Sequence, residues 1–318
     1  MTAVETEALT RFYGDLCAVR DLSLSVDGEI FGLLGPNGSG KTTTVKILTT
    51  LLRPSSGSAR ICGLDVVRNG SAVRERISYV PQEMAVDVRL TGRENVLLFA
   101  RLYGVPGPRD RTDEALSLMG LSDRADDRTA TYSGGMRRRL ELAQALVHEP
   151  EVLFLDEPTI GLDVAARMRI WEHITSLRHD GVTVFVTTHY MDEADRVCDR
   201  VAFLDRGSIV ALGSPASLKA SVPGETVAAR ITGDFTPREI PGVTFMGRRG
   251  DLLTFAAPPG REGLDLIQRE LDRQGIPVHE IGRREPTLDD VFIRSVGSQD
   301  PAMPFDDHRF RLILRRRG

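Results

Sequence analysis

A chain of 318 residues, 41% hydrophobic and 27% charged, lies in the range of soluble globular proteins and has the length of about two domains. A net charge of −4 argues against nucleic-acid binding, which needs a basic face for phosphate contacts. Three cysteines (Cys17, Cys62, Cys198) form no CxxC pair and read as reduced thiols of a cytosolic protein. The N-terminus has neither the basic nor the apolar region of a signal peptide. The longest stretch without Asp, Glu, Lys or Arg is residues 207–218, too short for a membrane span of about 20 residues.

In chain order, Leu22–Val26 alternates apolar and polar residues, as an antiparallel strand does. Ile30–Leu34 runs apolar into Gly35-Pro36-Asn37-Gly38, and a helical stretch follows from Thr42. From about Glu83 to Pro150 the pattern predicts a helical insert. Thr91-Gly-Arg-Glu94 is a capping box that opens one helix, and a second follows the break at Gly104–Pro108. Val152–Leu155 and Val182–Val186 read as buried parallel strands, with Ile170, Ile174 and Leu177 at helical spacing between them. Strands alternating with helices point to a wound α/β sheet.

After Leu212-Gly-Ser-Pro215 the pattern changes. Strands are predicted near Val227–Ile231, Val243–Met246, Leu252–Ala256 and Val278–Ile281, with a helix at about Leu264–Gln274. Thr287-Leu-Asp-Asp290 reads as the N-cap of a last helix carrying Leu288, Val291 and Phe292. The expected organisation is an α/β domain at 1–215 with the insert at about 83–150, a small α+β accessory domain at 216–298, and a flexible basic tail at 299–318.

Gly35-Pro36-Asn37-Gly38-Ser39-Gly40-Lys41-Thr42 matches the phosphate-binding loop pattern GxxxxGK[ST]. A chance match in this composition is ~10⁻⁵ per window. The glycines let backbone N–H groups wrap a phosphate, Lys41 reaches the β/γ-phosphates, and Thr42 can ligate Mg²⁺; Thr43 completes the loop. Val152-Leu-Phe-Leu155 ends in Asp156-Glu157, an apolar strand closed by two carboxylates. That pattern suits Asp156 for holding Mg²⁺ and Glu157 for polarising an attacking water as general base. An acid-ended strand alone is usually structural; its place after a phosphate loop favours chemistry.

Tyr132-Ser133-Gly134-Gly135-Met136 follows, with Asp156 at a spacing of 23 residues from Ser133. Here the chain resembles the ATP-binding-cassette (ABC) ATPases, whose signature is LSGGQ before a helix. Tyr132 replaces the family's Leu and Met136 its Gln. The likeness covers residues 1 to about 215 and implies a P-loop ABC ATPase fold, a wound parallel sheet with an antiparallel β part and a helical insert. It implies ATP and Mg²⁺ as ligands. In a head-to-tail, ATP-bridged homodimer, Ser133, Gly134 and Gly135 of one subunit would close over the γ-phosphate of the other; a helix N-terminus suits that anion. Further matches imply roles. Gln82, in Tyr79-Val-Pro-Gln82, would sense Mg²⁺ and the attacking water and face a membrane partner. Gly161-Leu162-Asp163 would lie at the dimer seam. His189, in Thr187-Thr-His189, would contact the γ-phosphate. Tyr13 would stack on adenine, the bland alternative being a core aromatic.

Tyr132-Ser-Gly-Gly-Met-Arg-Arg-Arg139, Thr188-His-Tyr-Met191 and Arg284-Glu-Pro-Thr-Leu-Asp-Asp-Val-Phe292 resemble the daunorubicin/doxorubicin-resistance ATP-binding proteins over nearly the whole chain. That likeness implies a subunit at the cytoplasmic face of the membrane, attached through a separate permease that exports drugs, antibiotics or lipid-like compounds. Arg284–Phe292 then has two readings, a coupling element or plain packing. The basic end Arg309–Arg317 reads as a solvated tail, with contact to anionic lipid headgroups as the alternative. The competing function is a soluble ABC ATPase acting on DNA or ribosomes. Against it stand the single P-loop and the absence of heptads or paired cysteines.

Overall fold

The computed structural model describes residues 2–296 except 180, 223 and 259, so the tail expected at 299–318 lies outside the described residues. The chain divides into two compact units between Leu218 and Lys219.

In the first unit, β1 (Val4–Tyr13), β2 (Leu16–Val26) and β3 (Ile30–Leu34) precede α1 (Lys41–Leu48), β4 (Ser56–Ile61), β5 (Leu64–Asp65), α2 (Gly70–Arg74) and β6 (Ile77–Val80). Helices α3 (Gly92–Leu102), α4 (Pro108–Leu118) and α5 (Gly134–Leu146) fill the segment expected to be helical. Then come β7 (Val152–Asp156), α6 (Val164–His179), β8 (Thr183–Thr188), α7 (Met191–Val197), β9 (Arg200–Asp205) and β10 (Ser208–Gly213). One sheet is antiparallel, in the order β2-β1-β4-β5. The other runs β10-β9-β3-β8-β7-β6, parallel from β9 to β6 with β10 as an antiparallel edge.

Strands β3, β7 and β8 are buried at every position, which is why their sequences are continuous apolar runs and do not alternate. Phe185 of β8 sits between Phe31 of β3 and Phe154 of β7, with ring centroids 5.3 and 5.5 Å away at tilted angles, a favoured aromatic arrangement. The capping box of α3 forms as the sequence indicates. The Thr91 hydroxyl accepts from Glu94 N at 3.1 Å, and Glu94 Oε2 accepts from Thr91 N at 2.9 Å. Ile170, Ile174 and Leu177 are the buried stripe of α6.

A short helix, α8 (Pro215–Ala220), spans the junction of the units. The second unit contains β11 (Glu225–Ile231), β12 (Thr244–Arg249), β13 (Leu252–Ala257), α9 (Arg261–Arg273), β14 (Val278–Arg284) and α10 (Leu288–Val296). Its sheet, β12-β13-β11-β14, is antiparallel throughout. Val227, Ala229 and Ile231 of β11 and Leu253 and Phe255 of β13 form one core with Ile267 and Leu271 of α9.

The cap of α10 works in the opposite sense to the expected threonine cap. Asp290 is the acceptor: its Oδ2 receives Thr287 N at 2.8 Å and Thr287 Oγ1 at 3.0 Å. The same carboxylate is paired through both oxygens with Arg284, Nη2–Oδ1 measuring 2.6 Å, and Asp290 is only 1% exposed. Asp290 is therefore a structural anchor, and its removal would not spare the helix.

Candidate functional site

The site collects at the C-terminal ends of the parallel strands, where an open α/β sheet places ligands. The P-loop leaves β3 and ends at Gly40, whose φ of 109° is in the glycine region; a Cβ there would collide with the Ala18 carbonyl oxygen. Lys41 opens α1 and is 5% exposed. Its ammonium donates to the carbonyls of Gly35 (2.8 Å) and Pro36 (3.1 Å) and lies 3.6 Å from Glu157 Oε1. Burial lowers the Lys41 pKa, opposed by the charges of Glu157 and Asp156. Asn37 and Gly38 are exposed at the loop tip, while Ser39 is buried and its hydroxyl has no hydrogen-bond partner among the described residues. Thr42 and Thr43 are half-buried in the first turn of α1.

Strand β7 delivers the two carboxylates, and the adjacent β8 fixes them. Thr187 pairs with Asp156 across the strands; its hydroxyl donates to Asp156 Oδ1 at 2.5 Å. Glu157 has a φ of 49°, unusual for a residue with a side chain. Its N–H holds that turn by donating to the Thr187 carbonyl and hydroxyl oxygens, both at 3.1 Å. The Glu157 carboxylate then lies between Lys41 and His189, whose Nδ1 is 3.1 Å from Oε2. Burial alone would raise the Glu157 pKa. The hydrogen bond and charge of His189, then those of Lys41, outweigh it and hold the carboxyl below its ordinary value. A carboxylate held ionised can only accept, so His189 Nδ1 is the donor.

Asp156 Oδ2 is buried and has no hydrogen-bond partner among the described residues. An unpartnered buried carboxylate oxygen fits a divalent cation, which takes oxygen ligands. Thr187 is the residue that sequence reasoning missed, although it opens the Thr187-Thr-His189 run.

The structure thus brings Lys41, Asp156, Glu157 and His189 together. Among the described residues it makes no hydrogen bond from this cluster to Gln82, Tyr13 or Ser133. Gln82 is exposed, two residues beyond β6, whose Val80 pairs with Leu155 of β7. Tyr13 ends β1, half-exposed, with the Arg11 guanidinium 5.0 Å above its ring. Ser133 caps α5, its hydroxyl accepting from Met136 N at 3.2 Å, and Ser133 and Gly134 face solvent. Tyr132 is buried and donates to the Arg124 carbonyl at 2.6 Å. It fits because position 92 is glycine, where a Cβ would collide with the phenol oxygen. Asp163 Oδ1 accepts from Ala166 N at 2.8 Å at the start of α6.

The family described as ABC transporter matches residues 19–160, from β2 through the P-loop and signature to the acidic pair. The class is therefore the ATP-binding, ATP-hydrolysing subunit of an ABC transporter. A second family, described as ATP-binding protein DrrA1-3-like, C-terminal domain, matches residues 213–296. Daunorubicin resistance ATP-binding protein DrrA3 of Streptomyces coeruleorubidus is 42% identical over 305 residues, covering 93% of this chain and 96% of that one. Nod factor export ATP-binding protein I of Paraburkholderia xenovorans is 38% identical over 309 residues, covering 93% and 98%. Among solved structures, the dimeric post-hydrolysis state of the ATP-binding cassette MJ0796 bound to ADP and Pi is similar with a TM-score of 0.61 and 27% identity, covering 66% of this chain and 98% of that one. Within the ABC class, the chain belongs to the DrrA family of daunorubicin/doxorubicin-resistance ATP-binding proteins.

Proposed function

We propose that this subunit hydrolyses Mg-ATP in a head-to-tail dimer and drives a separate permease that exports a drug, antibiotic or lipid-like compound. The observation that carries the reading is the Lys41–Glu157–His189 cluster, a carboxylate held ionised beside the ammonium of a phosphate loop. Lys41 and the backbone of residues 35–43 hold the β/γ-phosphates. Glu157 accepts a proton from the attacking water, and His189 orients Glu157 and reaches the γ-phosphate. Thr42, Asp156 and Gln82 would hold Mg²⁺, which when bound neutralises charge developing on the phosphoryl oxygens. Tyr13 stacks on adenine.

The dimer reading is supported by the outward-facing Ser133 and Gly134, by exposed Val164 and Met168 on α6, and by the dimeric state of the similar cassette. Permease docking is supported by the exposed apolar side chains of Met84, two residues after Gln82, and of Leu98 and Leu102 on α3. No helix of the described residues is long and apolar enough to cross a membrane. Attachment to the cytoplasmic face is assigned to the permease. Export of a drug-like cargo follows the names of the relatives, and the 216–298 segment is assigned an accessory role. The test is Glu157→Gln. ATP binding should persist while turnover falls about 10²- to 10⁴-fold, the usual contribution of a general base. Turnover within about threefold of wild type refutes the assignment.

A further inference from the structure

Arg138 is the middle of the basic run Arg137-Arg138-Arg139. In the fold it is 3% exposed. Its guanidinium donates to backbone carbonyls of two separate loops: Nη1 to Pro81 at 2.8 Å, Nη2 to Asp156 at 3.3 Å and Nε to Pro158 at 2.9 Å. Nη1 also meets Glu141 Oε2 at 2.9 Å, one turn further along α5. Glu141 is 4% exposed, and its Oε1 accepts from Ala85 N at 2.6 Å. One buried ion pair on α5 thus holds the backbone on both sides of Gln82, at Pro81 and Ala85, and on both sides of Glu157, at Asp156 and Pro158.

A buried ion pair is weak evidence for stability, since apolar residues of similar shape often serve as well. What apolar residues lack is direction. A planar guanidinium presents five donors in a fixed fork and can set the spacing of several carbonyls at once, which a lysine ammonium cannot. We infer that Arg138, oriented by Glu141, is a positioning residue for ATP hydrolysis, tying the signature helix to the loops that carry Gln82 and Glu157. Movement of α5 is transmitted through this pair to the group that polarises water. The inference rests on the roles proposed above for Gln82 and Glu157.

Arg138→Lys keeps a positive charge beside Glu141 but loses the fork. The folded variant should show a KM for Mg-ATP within about twofold of wild type and a kcat lower by about 10²-fold, the scale expected when a catalytic group is misplaced by about 1 Å. Arg138→Met/Glu141→Leu removes both charges without leaving either unpaired, and the same split is expected. A kcat within about threefold of wild type in either folded variant overturns the inference. So does failure of both variants to fold, which would assign the pair to stability alone. Glu157→Gln, assayed alongside, separates the two levels. If it hydrolyses ATP at the wild-type rate, the site reading itself falls; if it is inactive while Arg138→Lys is active, only the positioning role does.

Discussion

Asp290→Ala tests the anchor of the second unit. The substitution removes a 1%-exposed carboxylate that pairs with Arg284 through both oxygens and accepts two hydrogen bonds from Thr287. Breaking a buried pair by deleting one partner costs about 3–5 kcal/mol. Losing the helix-capping acceptor adds about 1 kcal/mol. The Arg284 side chain is 12% exposed and can turn partly to water, which lowers the share of the pair to ~2 kcal/mol and the total to ~3 kcal/mol. The single tryptophan, Trp171, lies in the first unit, so its fluorescence does not report on this change. Hydrogen exchange followed by mass spectrometry does: β11 and β14, paired from Thr226↔Arg284 to Ile231↔Val278, should exchange about 10²-fold faster. Arg284→Met/Asp290→Leu leaves no charge stranded and should restore protection. Unchanged exchange in Asp290→Ala would refute the reasoning, and would return Arg284–Phe292 to the surface-coupling reading.

Lys41→Ala should abolish most of the stabilisation by Mg-ATP, which reaches about 2.7 kcal/mol at a hundredfold excess over Kd. A full wild-type thermal shift in the variant would place ATP elsewhere. Burial holds the His148 pKa below its ordinary value, while its Nε2 donates to the Ile77 carbonyl at 3.1 Å. A base whose folded pKa is lowered contributes stability above its unfolded pKa of about 6.5 and loses it as pH falls below that value. His148→Gln keeps a donor but cannot titrate, so its Tm should fall less than that of wild type between pH 7.5 and 5.5; equal slopes would exclude His148 as the source.

The parts of the site legible in the sequence are those whose chemistry is local. A glycine loop followed by lysine, an apolar strand closed by acids and a serine before two glycines each complete their message within a few residues. Arg138, Glu141 and Thr187 were not legible, because their partners are distant in the chain. Arg138 reaches back 57 residues to Pro81 and Glu141 reaches 56 to Ala85, while Thr187 finds Asp156 only through strand pairing. A basic triplet has the same appearance on a surface as in a core. Thr287 and Asp290 were both visible, but residue types alone do not say which side chain of a capping pair accepts. Strands β1 and β9 went unread because β1 alternates imperfectly, with bulges at Thr6–Phe12, and β9 follows α7 without a turn signal.

The fit of Tyr132 against Gly92 bears on the order in which this sequence can change. With tyrosine at 132, any side chain at 92 collides with its hydroxyl. With leucine at 132, as in the wider ABC signature, that collision is gone, and a Cβ at position 92 then meets the Ala125 carbonyl oxygen at 3.2 Å, which asks only a few tenths of an ångström of give. A lineage can therefore exchange Tyr132 first and Gly92 second, whereas the reverse order passes through an intermediate with a displaced signature. The two positions thus favour one order of exchange in sequence space.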